Sequence, residues 1–268
     1  MLQVCQDLKD EADELRDFLE TLESEDWDRP TLFMDWTPWD VIAHLHYFDG
    51  VSLDAASGED VFEERRQRLF ALRKENLSTR DLQRRELGHL DAETLLERWH
   101  ATNHALADKL GACPPKARIP WFGPDMGVRM FTTARYMETW AHAQEIYDLK
   151  GERRIHSDRI GNIVAIGVRT FGWTFVNRGR EVPGPPPFVR LTAPSGALWE
   201  YNEQGDRERI EGSAVDFCMT VTQTRHVADT ALKVTGPVAT EWMSIAQCFA
   251  GAPSDPPPPG TRKSGPAR

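Results

Sequence analysis

The chain has 268 residues, 40% hydrophobic and 28% charged, with a mean hydropathy of -0.52. This profile excludes a wholly disordered chain and leaves room for one large domain or two small ones. Acidic residues outnumber basic ones 42 to 32, and a net charge of -10 repels phosphate backbones, so nucleic acid is not an expected partner.

The first 30 residues hold eleven acids and three bases, which places most of the net charge there. Leu8, Leu15, Leu19 and Leu22 recur at helical spacing, so the acids read as the solvated face of a first helix. A second helix is signalled by Thr37-Pro38-Trp39-Asp40: Thr37 as N-cap, Pro38 at the first helical position, Asp40 closing a capping box. It continues through Val41, Ile42, His44, Leu45 and Phe48. Residues 59–86 alternate in charge and predict a solvated helix and crossover. A third helix follows Asp91, and a fourth spans about Phe131 to Leu149, after a loop containing Trp121–Met126.

Ser157 is expected to cap a helix rich in Ile160, Ile163, Val164, Val168 and Phe171. Strand-like runs Phe188–Ala193 and Ala197–Asn202 flank a Pro194-Ser195-Gly196 turn and predict a hairpin. A short helix after Gly212, a strand over Ala231–Thr235 and a last helix through Trp242, Ile245 and Phe249 complete the pattern. The expected partition is a helical domain over 1–152, an α+β domain over 153–250 and a disordered tail over 251–268. No apolar run approaches the roughly 18–20 residues of a membrane span, and no signal-like segment is seen. The four cysteines form no C-x-x-C, so a reduced, cytoplasmic protein is expected; the chain is expected to be a monomer or a homodimer.

Glu138 and His142 stand four apart on the fourth helix and so share a face. Carboxylate and imidazole suit a borderline divalent ion such as zinc, although a simple hydrogen-bonded pair fits the same spacing. His44, on an apolar face of helix two, can complete a His-Glu-His set if it faces helix four; a hydrogen-bonded core histidine is the other reading. His100 and His104 form a competing i,i+4 pair on helix three; structural or surface roles are expected for His46 and His100, while lining of the cleft is the other reading for His104. His46 points away from His44, and His89, His156 and His226 fall in or near loops. Phe171, Trp173, Phe175 and Trp199 read as core, or else as the wall of an apolar ligand cavity.

Trp36-Thr-Pro-Trp-Asp40-Val-Ile-Ala-His44-Leu resembles the W-T-x-x-D-V-x-x-H-L signature of the mycothiol-dependent maleylpyruvate isomerase family, within the DinB-like four-helix-bundle metalloproteins. Glu138 and His142 match that family's E-x-x-x-H, 94 residues beyond His44. The resemblance implies a DinB-like bundle, a small sterol-carrier-like α+β domain, and a divalent metal, zinc foremost, on His44, Glu138 and His142. It extends through Glu211–Arg225 and implies that Arg225 points toward the metal cleft, where it can grip a substrate carboxylate; capping of helix-end carbonyls is the alternative.

The family often places an Asp shortly after its last metal histidine, whereas here Asp148 follows His142 by six residues, as in a distinct branch. The activity implied is thiol-dependent isomerisation or transfer on a small organic acid, with mycothiol or another small thiol as cosubstrate. A metal-dependent hydrolase or lyase and a non-catalytic metal- and apolar-ligand-binding protein are the alternatives.

Overall fold

A computed structural model describes residues 2–73, 77–123 and 125–262. The chain divides into two compact units, the first ending at Ile146 and the second starting at Tyr147. The division falls inside the last helix of the first unit rather than after residue 152. Within the second unit, Arg154 lies over the Tyr147 ring at 5.2 Å and Arg225 pairs with Asp148.

The first unit is built on α1 (Gln3–Leu19), α2 (Pro38–Ser57), α5 (Ala92–Ala112) and α6 (Val128–Lys150), with α3 (Glu59–Arg73) and α4 (Thr79–Leu87) as the crossover. A small antiparallel pair, β1 (Arg118–Ile119) and β2 (Met126–Gly127), precedes α6. The start of α2 follows its sequence signal. Thr37 accepts from the Asp40 backbone N–H, the Asp40 carboxylate accepts from the Thr37 N–H, and Pro38 opens the helix. Asp91 caps α5 by accepting from the Thr94 backbone N–H.

Two apolar clusters hold these helices together. One joins Leu15 and Leu19 of α1, Ile42 and Leu45 of α2, Trp99 of α5 and Ile146 of α6. The other joins Val51 of α2, Leu106 and Leu110 of α5 and Phe131 of α6, with Phe62 and Leu82 from the crossover. Trp121 and Phe122 stack around Phe62, so this loop packs into the second cluster; Pro124 lies outside the described residues.

A fully buried polar knot links α2, α5 and α6. Asp49 has no exposed surface, and its Oδ1 accepts from Arg135 Nε at 3.0 Å. Its Oδ2 accepts from Trp99 Nε1 at 3.2 Å and Asn103 Nδ2 at 2.9 Å.

The second unit is mixed α+β: α7 (Gly161–Arg169), α8 (Phe171–Val176), β3 (Phe188–Thr192), β4 (Leu198–Tyr201), β5 (Arg209–Ser213), α9 (Ala214–Val221), β6 (Lys233–Thr235) and α10 (Pro237–Ile245). The sheet order is β4-β3-β5-β6. The expected hairpin forms, with Val189 opposite Tyr201. β5, which the sequence did not announce, runs parallel to β3 with Ile210 opposite Val189. Its Arg-Ile-Glu-Gly-Ser stretch has one large apolar residue and no alternation to read.

Other differences are local. Ser157 makes no side-chain cap; a 3-10 turn over Asp158–Ile160 intervenes before α7, and α10 stops before Phe249. Gly167 is required where α7 meets α9, because a Cβ there would lie 2.9 Å from Val221 Cγ2. Phe171 and Phe175 are core against Trp242, while Trp173 is exposed.

The described part of the expected tail, 251–262, has no regular secondary structure. It is nonetheless tied down, with Gln223 donating to the Ser254 carbonyl at 2.7 Å and the Asp229 carboxylate accepting from Gly260 N–H. No helix among the described residues is long and apolar enough to cross a membrane.

Removing Asp49 strands the Arg135 guanidinium in the bundle. Asp49→Ala is expected to cost about 3–5 kcal/mol in urea unfolding, while Asp49→Leu combined with Arg135→Met recovers most of that loss. Equal destabilisation by the single and double variants would contradict this account.

Candidate metal centre

Three donors predicted on two helices meet in the first unit. α6 carries Glu138 and His142 on one face, and α2 brings His44 from the neighbouring helix. His44 Nε2 and His142 Nε2 each lie 3.5 Å from Glu138 Oε2. A zinc ion bonded at about 2.0–2.1 Å to tetrahedral ligands separates them by roughly 3.3–3.4 Å. The spacing therefore suits donors around an ion better than a closed hydrogen bond, which is nearer to about 2.9 Å.

The walls are aromatic. Trp36 stacks parallel to the His142 ring at 5.8 Å, Phe33 meets it edge-on at 5.2 Å, and Phe48 lies 4.8 Å from the His44 ring. The segment before α2 places Trp36 and Phe33 by a turn in which Thr31 N–H donates to the Trp36 carbonyl at 2.8 Å. Met34 and Asp35 in that turn adopt left-handed backbone angles. The Glu138 side chain keeps 24% of its surface exposed and each histidine 13%, so the cluster retains an accessible edge.

Burial pushes His44 down to about 4, against the raising influence of Glu138, and the nearby charges of His142 and Arg135 push the same way as burial. At neutral pH the ring is uncharged, as a ligand must be. Burial alone would raise Glu138, but contacts from His142 and His44 and the Arg135 charge hold the carboxyl well below its usual range.

The sequence signature also has a role at the helix start. Asp40, besides closing the capping box, takes Arg84 Nε on Oδ1 at 2.6 Å and Arg80 on Oδ2 at 3.0 Å. Both arginines come from α4, whose next residue toward the site is Gln83. Its amide lies 3.3 Å from His44 Nδ1. The amide atom nearer the ring is Nε2; turning the amide over would let Oε1 accept from Nδ1–H and so fix the tautomer that leaves the histidine Nε2 bare. Gln83 went unnoticed in the sequence because one glutamine in a charged crossover helix gives no signal.

Residues 8–147 match the mycothiol maleylpyruvate isomerase N-terminal domain. The chain belongs to that family. Relatives at 35% identity over 247 residues are two proteins of Mycobacterium tuberculosis, from different strains, each named as uncharacterized; the match covers 92% of this chain and 95% of each. The fold resembles the crystal structure of mycothiol-dependent maleylpyruvate isomerase, with a TM-score of 0.52 at 11% identity over 81% of this chain and 87% of that one. A histidine-to-alanine variant of that enzyme matches at 0.51 and 13%, over the same shares of the two chains. At such identities the likeness shows the fold.

Among the other sequence candidates, Arg225, His100 and His104 have partners of their own. Arg225 is buried in the second unit, its Nη2 on Asp148 Oδ1 at 2.6 Å and its Nη1 on the Thr224 carbonyl at 2.8 Å. The residue six after the last histidine is thus the partner of the candidate arginine. His46 is half-buried on α2, where burial lowers its pKa. His100 and His104 face α1, where Asp13 meets both. A groove of about 870 Å³ lined by Leu22, Trp27, Trp39, Arg84 and Glu93 includes none of the triad.

Burial alone would raise Asp40, but bonds from Arg84 and the Thr37 backbone, the Arg84 charge and Arg80 keep its carboxyl below the usual value. A depressed folded pKa gives stability that is fully present above the unfolded value, about 3.9, and lost as pH falls through the folded one. Asp40→Asn is therefore expected to cost about 1–2 kcal/mol at pH 7 and markedly less near pH 3. Denaturant titrations at the two pH values check this, and a pH-independent cost contradicts it.

Proposed function

We propose that His44, Glu138 and His142 hold a divalent ion, zinc foremost. In this reading the protein is an enzyme that activates a small thiol of the mycothiol class for addition to, or isomerisation of, a small unsaturated organic acid. The supporting observation is the convergence of two imidazoles and one carboxylate at near-tetrahedral spacing with an accessible edge. Three protein ligands leave room for a reactant, and an ion bound there supplies Lewis acidity that lowers the pKa of a thiol. The chemistry named by the solved enzyme's title, mycothiol-dependent maleylpyruvate isomerisation, supplies the reaction class. The thiol sulfur bonds to one carbon of the double bond, the remaining single bond rotates, and the thiol departs as the double bond re-forms.

This chain's own residues prepare that step. Burial keeps His44 neutral, so its lone pair is available at physiological pH. With its amide turned so that Oε1 accepts from Nδ1–H, Gln83 would hold the His44 ring in the ligating tautomer, and Arg135 stabilises the charged form of Glu138. Phe33, Trp36 and Phe48 keep water from the histidine rings. Arg225 binds the substrate carboxylate, its guanidinium set by Asp148 and by the Thr224 carbonyl. Cys5 and Cys218, buried free thiols, fit a reducing cytoplasmic setting.

Metal analysis of the purified chain should give an ion that is lost in His44→Ala and His142→Ala, while Gln83→Ala weakens affinity about 10- to 100-fold. Retention of the triad's ion in both histidine variants would overturn the site. Turnover of unsaturated acids should require mycothiol or a related thiol, and Arg225→Lys should raise KM with metal content unchanged. Thiol-independent, water-consuming turnover would replace this reading with a hydrolase or lyase.

A further inference from the structure

In the same helical unit, α5 presents His100 and His104 one turn apart, their ring centroids 4.3 Å from each other. α1 sets Asp13 opposite. His100 Nε2 lies 2.6 Å and His104 Nε2 2.8 Å from the same oxygen, Asp13 Oδ1. We infer that Asp13, His100 and His104 form a second divalent-cation site, for a borderline transition ion such as zinc, which clips α1 to α5.

Two imidazole nitrogens and one carboxylate oxygen are a donor set for zinc, nickel, cobalt or copper rather than for magnesium or calcium. Histidines at i and i+4 on one helix face need no backbone rearrangement to chelate together. As the residues stand, each ring places an Nε2–H on the shared oxygen. The cation takes the place of those two protons, and each neutral ring re-protonates at Nδ1, so the exchange is proton-neutral. Ligand atoms must part from 2.6 and 2.8 Å to roughly 3.3 Å. That movement is within reach of Asp13, whose side chain is 50% exposed beside histidines at 18% and 30%.

The surrounding charge favours the ion. Lys9 is held by Asp108 at 2.6 Å and Arg16 by Glu20 at 2.8 Å, so the basic groups flanking Asp13 along α1 are neutralised by other partners. Residues 1–30 carry eleven acids against three bases, and a field of that sign draws cations to this face. Burial alone would raise Asp13, but bonds from His100 and His104 keep it low, so the carboxylate is already charged for a ligand role. The site shares no residue with the triad, and its helices, α1 and α5, are not those that supply His44, Glu138 and His142.

The test uses the full chain with any affinity tag removed, stripped by chelator and dialysed against zinc. The wild-type protein should bind two ions, and His100→Gln/His104→Gln one. Asp13→Asn should weaken the second ion at least tenfold. In the His44→Ala/His142→Ala background, cobalt should still give a visible ligand-field band, and that band should vanish when His100→Gln/His104→Gln is added. One ion in the wild type together with one in the His100/His104 variant would overturn the proposal, as would two in both. Loss of all binding in the His100/His104 variant would instead sink the triad assignment and leave this one standing.

Discussion

The helical unit depends on the burial of one charge pair. Asp49 and Arg135 sit with no useful access to water, and each is tolerable only because the other is there. Their pairing fixes how α2 and α6 slide past one another. His44 precedes Asp49 by five residues on α2, and Glu138 follows Arg135 by three on α6. The two helices therefore run antiparallel, and a contact at 49–135 places 44 level with 138. Trp99 and Asn103 occupy the other carboxylate oxygen and bring α5 into the same register. The arrangement that sets the candidate ligands at 3.5 Å is thus established one to two turns away, in a knot that touches no reactant.

The arginine of this knot also acts on the site directly. Its charge helps to keep Glu138 ionised and His44 neutral, the protonation states that metal ligation needs. Aromatic rings do the complementary work by removing water from the imidazoles. The same elements that give the bundle its apolar core therefore set the chemistry of the cluster of two histidines and a glutamate.

Much of this was legible wherever the signal is local. Thr37, Pro38 and Asp40 announce the start of α2 because a capping box is written in four consecutive residues. Glu138 and His142 are paired by helical period alone, and His44 could be added because a bundle leaves few helices for it to face. Asp13, Gln83 and the Asp49–Arg135 pair were not legible. Each depends on a partner dozens of residues away, and neither a glutamine in a charged helix nor one aspartate among eleven acids stands out by type. The parallel strand β5 escaped for a different reason. With Gly212 and Ser213 at its end and one large apolar residue, its identity comes from its neighbours β3 and β6 and not from its own pattern.

That parallel strand also orders events in time. β3 and β4 are joined by a short turn and can pair as a hairpin within about microseconds. β5 cannot join β3 until the chain from Tyr201 to Arg209 has folded back, and the sheet's outer strand β6 waits on α9 as well. Closing these longer loops costs entropy before any contact is gained, so the second unit has the slower topology of the two. The helical unit nucleates on local turns, yet its triad joins residues 94 positions apart. During synthesis, then, α2 and its histidine exist well before α6 arrives to complete the site.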